Sequence, residues 1–394
     1  MVSASSGRSP LEMRRILPVL ALVLLLAAGC GGAKQRPELQ SVLDRLVTGP
    51  SMIAPGATAY VSGPHGVWSG AAGLANVNAL ERMQPDARMR LESVSKLWTA
   101  TLVLQLAGEG RLKLDDTVER RLPGLLPYGD RITIHELLNH TSGLIDNNDI
   151  GRDPQHYIAL VKDTELRAQL ASIAARYRKD PNLTFPPLVW IRFAAALPLL
   201  AKPGTEYHYS NIGYEILGLV AARTAGKPLA TLYRDRIAKP LGLKSVAYDP
   251  QGDIAGPHAV GYSIDQEGRP VAATGWATGG IGAEGGIVAS AKDEAGFLVA
   301  LMQGKLLKPA QLAAMKTVAP AAAAGGYGLG IGVDQSGCAG TAYGHNGGGA
   351  GFSSSIFVSE DGKRVAVLLL NGRAAADPRD ADVYAAMNEL YCKA

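Results

Sequence analysis

The 394-residue sequence has little of several features that mark whole classes of protein. It holds three cysteines without a C-x-x-C pair and seven scattered histidines, so no metal site is expected. Neither sign of charge prevails, because 39 basic residues face 35 acidic ones, and this balance gives no electrostatic basis for binding nucleic acid. No G-x-S-x-G occurs, which excludes the nucleophile elbow of the α/β-hydrolases.

A membrane-spanning run is also lacking at the N-terminus, although an apolar segment is present there. Residues 16–28 follow Arg14 and Arg15 and would form a helix of only about 20 Å, shorter than the ~30 Å hydrocarbon core of a membrane. This pattern predicts a signal peptide over residues 1–29 and a tether over 30–36. The stretch "LLAAGC" resembles a bacterial lipobox, with Ala27 where leucine is usual, and predicts Cys30 as the lipidated first residue of the mature protein.

The predicted leader places the rest of the chain outside the cytosol, in the periplasm or outside the cell, anchored by lipid to a bacterial membrane. The alternative is cleavage without lipidation, with Cys30 free or removed. Disulfides persist in such compartments. The sequence does not give the separation of Cys338 and Cys392, so a bridge and two separate buried thiols both remain open.

The two ends of the chain carry the strand-like segments. Helical apolar spacing over 37–47 precedes two short strands around the turn Gly63–Gly66, and further strands are expected between 327 and 370. A last helix is expected to begin near Pro378. Because an isolated hairpin is marginally stable, the N-terminal strands are predicted to pair with the C-terminal ones in one mostly antiparallel sheet.

The middle of the chain reads as helical, with apolar residues at helical spacing and glycines at segment ends. We therefore predict an α/β (α+β) fold: a single domain over 37–394, with terminal helices flanking the sheet and a helical subdomain at about 110–240. Residues 146–203 are interpreted as a lid, in which Phe185, Trp190 and Phe193 either line a site or pack the lid.

Ser93 and Lys96 are candidate catalytic residues in "RLESVSKLWTATLVLQLAGEG". Three residues apart in a helix, they would project from one face, and the helix N-terminus would favour a developing negative charge. Serine needs a base to become a nucleophile, and lysine serves as one only when its pKa is depressed. The alternative is that Ser93 caps the helix and Lys96 is solvated.

Two further segments carry groups that such a serine needs. "KPGTEYHYSNIGYEILG" places Tyr209, a candidate general acid/base, two residues before Asn211, which offers an amide donor and acceptor. "YGHNGGGAGFSSS" places His345 before Gly347 and Gly348, where backbone N–H groups are accessible. Each segment alone has a simpler interpretation, as a helix start with a core tyrosine and as a glycine-rich bend with a surface histidine.

The three segments together resemble the motifs of the penicillin-recognising serine hydrolases: class C β-lactamases, D-alanyl-D-alanine carboxypeptidases and related esterases. The resemblance extends over roughly 37–390. It implies a β-lactamase/transpeptidase-like fold, an acyl-enzyme on Ser93, and proton transfer shared by Lys96 and Tyr209. It also implies that Asn211, His345 and Gly347 bind substrate and that the N–H groups of Ser93 and Gly348 form the oxyanion hole. No cofactor is expected.

His345 stands where the β-lactamases carry lysine. Since histidine is uncharged over much of the physiological range, recognition of a substrate carboxylate is expected to weaken as pH rises. The expected substrates are peptides ending in D-Ala or small esters and amides, with β-lactams less favoured. The alternatives are a penicillin-binding or partner-binding protein of weak activity and a class C-like β-lactamase. The oligomeric state is not predicted.

One more motif, "GIGAEG" at 280–285, satisfies the dinucleotide pattern G-x-G-x-x-G. No apolar strand leads into it, which argues against a nucleotide site.

Overall fold

The computed structural model describes residues 36–394 apart from 49–51, 180–185, 251–253, 266–267, 275–281, 337, 339, 350 and 375–379. The predicted signal peptide, Cys30, the tether up to residue 35 and Phe185 lie outside these residues. Within the described part of the chain, no helix is long and apolar enough to cross a membrane. In the same residues, no group of three His, Cys, Asp or Glu side chains could hold a metal ion.

Thirteen strands lie among the described residues. They are β1 Gly56–Gly63, β2 Gly66–Asn76, β3 Glu81–Arg82, β4 Met89–Arg90, β5 Ala247–Tyr248, β6 Tyr262–Ile264, β7 Pro270–Ala272, β8 Ile287–Ala289, β9 Gly332–Ser336, β10 Gly340–Gly348, β11 Ser353–Ser359, β12 Val365–Leu370 and β13 Gly372–Ala374. Seven of them form one sheet in the order β3-β2-β1-β12-β11-β10-β9, with every neighbouring pair antiparallel. The pairing of β1 with β12 joins the two ends of the chain, as predicted.

Fourteen α-helices lie in the described ranges. They are α1 Pro37–Val47, α2 Ser95–Gly108, α3 Val118–Arg121, α4 Ile134–Leu138, α5 Asn147–Arg152, α6 Pro154–Leu160, α7 Thr164–Lys179, α8 Pro187–Ala195, α9 Asn211–Ala225, α10 Leu229–Tyr233, α11 Lys239–Leu241, α12 Ala291–Met302, α13 Pro309–Lys316 and α14 Asp380–Cys392. The predicted lid therefore contains α5 to α8. Phe193 is buried and Trp190 packs against the core, which favours the interpretation of these two rings as packing residues.

The large sheet separates two apolar layers, and β12 shows how. Its side chains alternate between the faces, as strand geometry requires. Val365, Val367 and Leu369 face the layer that contains α2 and α12, whereas Leu368 and Leu370 face α1 and α14. All six residues of β12 are buried, so it is a central strand.

A smaller antiparallel sheet, β4-β8-β5, positions the N-terminus of α2. Met89 pairs with Ala289 and Arg90 with Val288. The N–H of Leu91 donates to the carbonyl oxygen of Ile287 at 2.8 Å. The chain before β8 is thereby placed beside the turn that follows β4.

Two details at the C-terminal end were not given by the sequence: one was undecided and the other differs from the prediction. Cys338 and Cys392 form a disulfide, with Cα atoms 5.6 Å apart, which links the turn between β9 and β10 to α14. The strands expected from residue 327 onward begin only at Gly332, because Gly330 has a φ of +84° and turns the backbone.

Candidate active site

Ser93 lies in a 3₁₀ turn, Glu92–Val94, that leads directly into α2. The residue that caps α2 is Val94, which makes no side-chain capping bond, so Ser93 is not the helix cap. Glu92 has a φ of +52°, a conformation that non-glycine residues adopt rarely and that costs energy. The turn therefore presents Ser93 at the start of the helix while its hydroxyl remains available.

Lys96 is fully buried one turn beyond Ser93 and holds the site together. Its Nζ donates to Ser93 Oγ at 3.0 Å, to Asn211 Oδ1 at 2.6 Å and to Glu284 Oε2 at 3.0 Å. The carbonyl oxygen of Glu284 is a fourth acceptor, at 3.1 Å. Lys96 is therefore a buried cation, and the interpretation of it as a solvated surface residue is wrong.

The charge state of Lys96 differs from the sequence-based expectation of a depressed pKa. Burial disfavours the ammonium, but Tyr209 and the Glu284 carboxylate favour it more strongly, so the pKa of Lys96 is raised. Lys96 is an ammonium at rest.

Tyr209 ends the loop before α9, and its ring centroid lies 5.0 Å from Lys96 Nζ. Burial raises the pKa of the Tyr209 hydroxyl, while Lys96 and Ser93 lower it in part. The Tyr209 ring also packs on His140, with ring centroids 4.2 Å apart. His140 Nδ1 accepts the N–H of Ser210 at 3.1 Å, which fixes the backbone next to Tyr209.

Asn211 is the first residue of α9, after Ser210, whose side chain caps the helix. Its Oδ1 accepts from Lys96, and its Nδ2 donates to Asn147 Oδ1 at 3.0 Å. Its backbone N–H donates to Asp146 Oδ1 at 2.9 Å, and burial raises the pKa of Asp146 to about 6. The bond to Oδ1 shows that Asn211 positions Lys96. Its contact with substrate, which the family resemblance implies, stays a prediction.

His345 lies on β10 with both ring nitrogens in hydrogen bonds. Nδ1 donates to the carbonyl oxygen of Asn346 at 2.6 Å, so Nε2 of the neutral ring accepts from Tyr327 Oη at 2.8 Å. Burial, with the charge of Lys96, lowers the pKa of His345 to about 3. His345 is therefore uncharged at neutral pH and carries no positive charge for a substrate carboxylate.

The end of β10 lies against the Ser93 turn because it lacks side chains. A Cβ at Gly347 would lie 2.3 Å from the carbonyl oxygen of Leu91, and one at Gly349 would lie 2.3 Å from Glu92 Oε2. Ser354 on β11 reinforces this contact by donating to the Leu91 carbonyl at 2.6 Å. Gly348, the predicted second oxyanion donor, is the last residue of β10.

Glu284 and Glu215 are site residues that the sequence analysis missed. Glu284 is nearly buried and forms the ion pair with Lys96, and Glu215 accepts the N–H groups of Gly282 and Glu284 at 2.7 and 3.3 Å. The only signal for Glu284 is a lone acidic residue among glycines in "GAEGG", which overlaps the segment that satisfies the dinucleotide pattern. His140, which packs on Tyr209 and accepts the N–H of Ser210, is a further residue of the site that no motif indicates.

A cleft of about 340 Å³ borders this site on the side of Tyr209 and His345. Tyr207, Tyr327 and Phe357 contribute aromatic walls, and Asp334 and Asn346 contribute polar groups. Its volume is typical of small-molecule sites, which run from about 300 to 1,000 Å³.

Comparison with known proteins supports the predicted family. The pattern of the Beta-lactamase family matches residues 43–389. Esterase EstB of Burkholderia gladioli is 32% identical over 222 residues, which cover 54% of this chain and 51% of the esterase. D-alanyl-D-alanine-carboxypeptidase/endopeptidase AmpH of Escherichia coli K12 is 28% identical over 182 residues, 44% of this chain and 40% of AmpH. The chain thus spans about half or less of the length of these relatives.

Solved structures match over a longer part of the chain. A D-stereospecific amidohydrolase from Streptomyces is 28% identical with a TM-score of 0.74, covering 91% of this chain and 99% of that one. A penicillin-binding protein from Bacillus halodurans is 21% identical with a TM-score of 0.69, covering 90% of this chain and 100% of that one, and supports the fold alone. The family match, with the geometry around Ser93, shows that this chain belongs to the Beta-lactamase family of penicillin-recognising serine hydrolases.

Proposed function

We propose that the protein hydrolyses small esters and amides, including D-configured amides, through an acyl-enzyme on Ser93. Once the Lys96–Tyr209 pair has lost one proton to solvent, the Ser93 Oγ–H bond breaks, its proton passes to the pair, and Oγ forms a bond to the substrate carbonyl carbon. The N–H groups of Ser93 and Gly348 stabilise the oxyanion. The pair then returns the proton to the leaving nitrogen or oxygen as its bond to carbon breaks, and water releases the acyl group by the reverse proton transfers.

The observation that carries this choice of substrate is the neutral, doubly hydrogen-bonded His345. A carboxypeptidase or β-lactamase acts on substrates with a carboxylate near the scissile bond, and a cation at this place would attract it. Esters and carboxamides need no such charge. The names of an esterase at 32% identity and a D-stereospecific amidohydrolase at 28% agree with this proposal.

The test uses two peptides that differ only in the carboxylate: a peptide ending in D-Ala-D-Ala and its C-terminal amide. We expect wild type to prefer the amide by at least about tenfold in kcat/KM, since a desolvated carboxylate without a cation is costly. His345→Lys should reverse the preference, while the neutral His345→Gln should keep it. A p-nitrophenyl ester and nitrocefin complete the panel.

A wild-type preference for the free carboxylate would favour the carboxypeptidase alternative. Fast nitrocefin hydrolysis would favour the class C-like β-lactamase. If the folded protein turns over none of these substrates, the result would favour the alternative of a binding protein with weak activity.

We also propose that the enzyme is exported and anchored to a bacterial membrane by lipid on Cys30, on the basis of the lipobox-like leader. Metabolic labelling with a palmitate analogue should mark wild type and not Cys30→Ala. Unlabelled wild-type protein in the soluble fraction would overturn this part.

A further inference from the structure

Glu284 is a buried carboxylate that the three family motifs do not include. Its side chain is 9% exposed, and its Oε2 lies 3.0 Å from Lys96 Nζ, the same distance that separates Nζ from Ser93 Oγ. The ammonium is therefore held between the nucleophile and an acid. Asp146, another acid near Lys96, is linked to it only through Asn211, which bonds both residues.

The backbone around Glu284 is fixed from three sides. Glu215 on α9 accepts the N–H groups of Gly282, Ala283 and Glu284, and a Cβ at Gly282 would lie 2.3 Å from Glu215 Oε2. Thr99 on α2 donates to the carbonyl oxygen of Ala283. Ile287 donates its N–H to Ser95 Oγ at 3.0 Å, so the loop is bonded to both helices of the site.

Several other titratable groups surround the Lys96–Tyr209 pair, but most of them carry no charge at neutral pH. His140 and His345 are neutral, because burial lowers the pKa of each. Tyr207, Tyr214 and Tyr327 keep their protons, because burial raises the pKa of each. Burial raises the pKa of Glu215 to about 8, which leaves it largely uncharged at neutral pH. Glu284 is thus the acid that contacts the pair directly.

We propose that Glu284 is a positioning residue for the reaction at Ser93: it directs the Lys96 ammonium toward Ser93 and Tyr209, and it sets the proton content of the Lys96–Tyr209 pair. The proposal rests on the proposed function of Ser93 as the nucleophile. The negative charge of Glu284 favours retention of the proton by both members of the pair. The pair accepts the Ser93 proton only after it has lost one to solvent, and Glu284 therefore shifts the onset of reactivity to higher pH.

The experiment measures the rate at which a fluorophosphonate probe labels Ser93 in brief exposures from pH 5 to 12, which requires no knowledge of the natural substrate. In Glu284→Gln, which keeps the shape and removes the charge, we expect the pH of half-maximal labelling to fall by about one to three units. Glu284→Asp retains the charge and should stay closer to wild type. The matched control is Glu294→Gln, another buried carboxylate, which bonds Trp98 and not Lys96, and it should keep the wild-type midpoint.

Each outcome separates the two proposals. Failure of the probe to label wild type, judged against Ser93→Ala, overturns both the nucleophile and the role of Glu284. Labelling of wild type with an unchanged midpoint in Glu284→Gln overturns the role of Glu284 alone. Thermal unfolding verifies that each variant is folded. Should Glu284→Gln fail to fold, Glu284→Ala serves instead: its midpoint should be low, and added formate should return it toward wild type, whereas a wild-type midpoint without formate overturns the proposal.

Discussion

The two faces of the large sheet bury very different side chains. The face toward α1 and α14 is closed by apolar groups such as Leu43, Leu368 and Leu390. Beyond the other face, α2 and its neighbours bury Lys96 and Glu284, whose charges must be matched. The first layer needs only shape and volume, whereas in the second every buried donor and acceptor needs a partner.

This difference separates stability from chemistry within one fold. An apolar side chain contributes by the area it removes from water, and many residues of similar size serve equally. A buried ion pair adds little net stability, because desolvation offsets the attraction, but loss of one partner leaves an uncompensated charge. Substitutions in the two layers should therefore affect different measurements.

The largest expected effect is on the polar side, at the nucleophile. Ser93→Ala should lower turnover of the amide or ester substrate by at least about a thousandfold, because it removes the hydroxyl that forms the acyl-enzyme. Its free energy of unfolding should stay within about 1 kcal/mol of wild type, since Lys96 keeps its bonds to Asn211 and Glu284. Steady-state kinetics and denaturant unfolding measure the two quantities. A variant with a tenth of wild-type turnover would place the nucleophile elsewhere.

On the apolar side the pattern should reverse. Leu390 is fully buried between α14 and the sheet, and Leu390→Ala should lower the free energy of unfolding by about 2–5 kcal/mol through the cavity it leaves. The matched control, Leu188→Ala on α8, removes a side chain that is 47% exposed and should change it by less than about 1 kcal/mol. Both should keep wild-type kcat at a temperature where they are folded. Loss of kcat in folded Leu390→Ala would show that the two layers are not independent.

The apolar layer is also the part that the sequence predicts best. The spacing of Leu39, Val42, Leu43 and Leu46 gives α1 its correct bounds, and the instability of an isolated hairpin correctly implies that β1 pairs with a C-terminal strand. These predictions depend on periodicity and turn residues, which are local in the sequence. The sequence alone could not decide whether Cys338 and Cys392 form a disulfide, because spacing along the chain does not fix their distance in space.

The polar site was predictable only where its residues fall in recognisable motifs. Ser93, Lys96 and Tyr209 do so, and the structure places them together. Glu284 comes beside Lys96 through the pairing of β4 with β8, which two-residue and three-residue strands do not reveal in a sequence. Since the charge of Lys96 depends on that neighbour, its protonation could not be derived from the spacing of the motif either.

The last expected effect appears only when the pH is varied and concerns Glu294, a polar group in the interior that does not touch the nucleophile. It is fully buried, accepts one hydrogen bond from Trp98 Nε1 at 3.0 Å, and burial raises its pKa from 4.5 to about 8. The folded state then binds more protons than the unfolded state between about pH 4.5 and 8, so the stability of wild type should fall as pH rises through that window.

Glutamine cannot ionise, so the stability of Glu294→Gln should not fall as pH rises through this window. We expect its free energy of unfolding to exceed that of wild type by up to about 5 kcal/mol at pH 9, and to equal or fall slightly below it at pH 4.5, since the pKa rises from 4.5 to about 8 and each unit corresponds to about 1.4 kcal/mol. Denaturant unfolding of both proteins across this range measures the difference. A gain that is the same at both pH values would mean that Glu294 affects packing and not ionisation, and the interior behind α2 would then resemble the apolar layer.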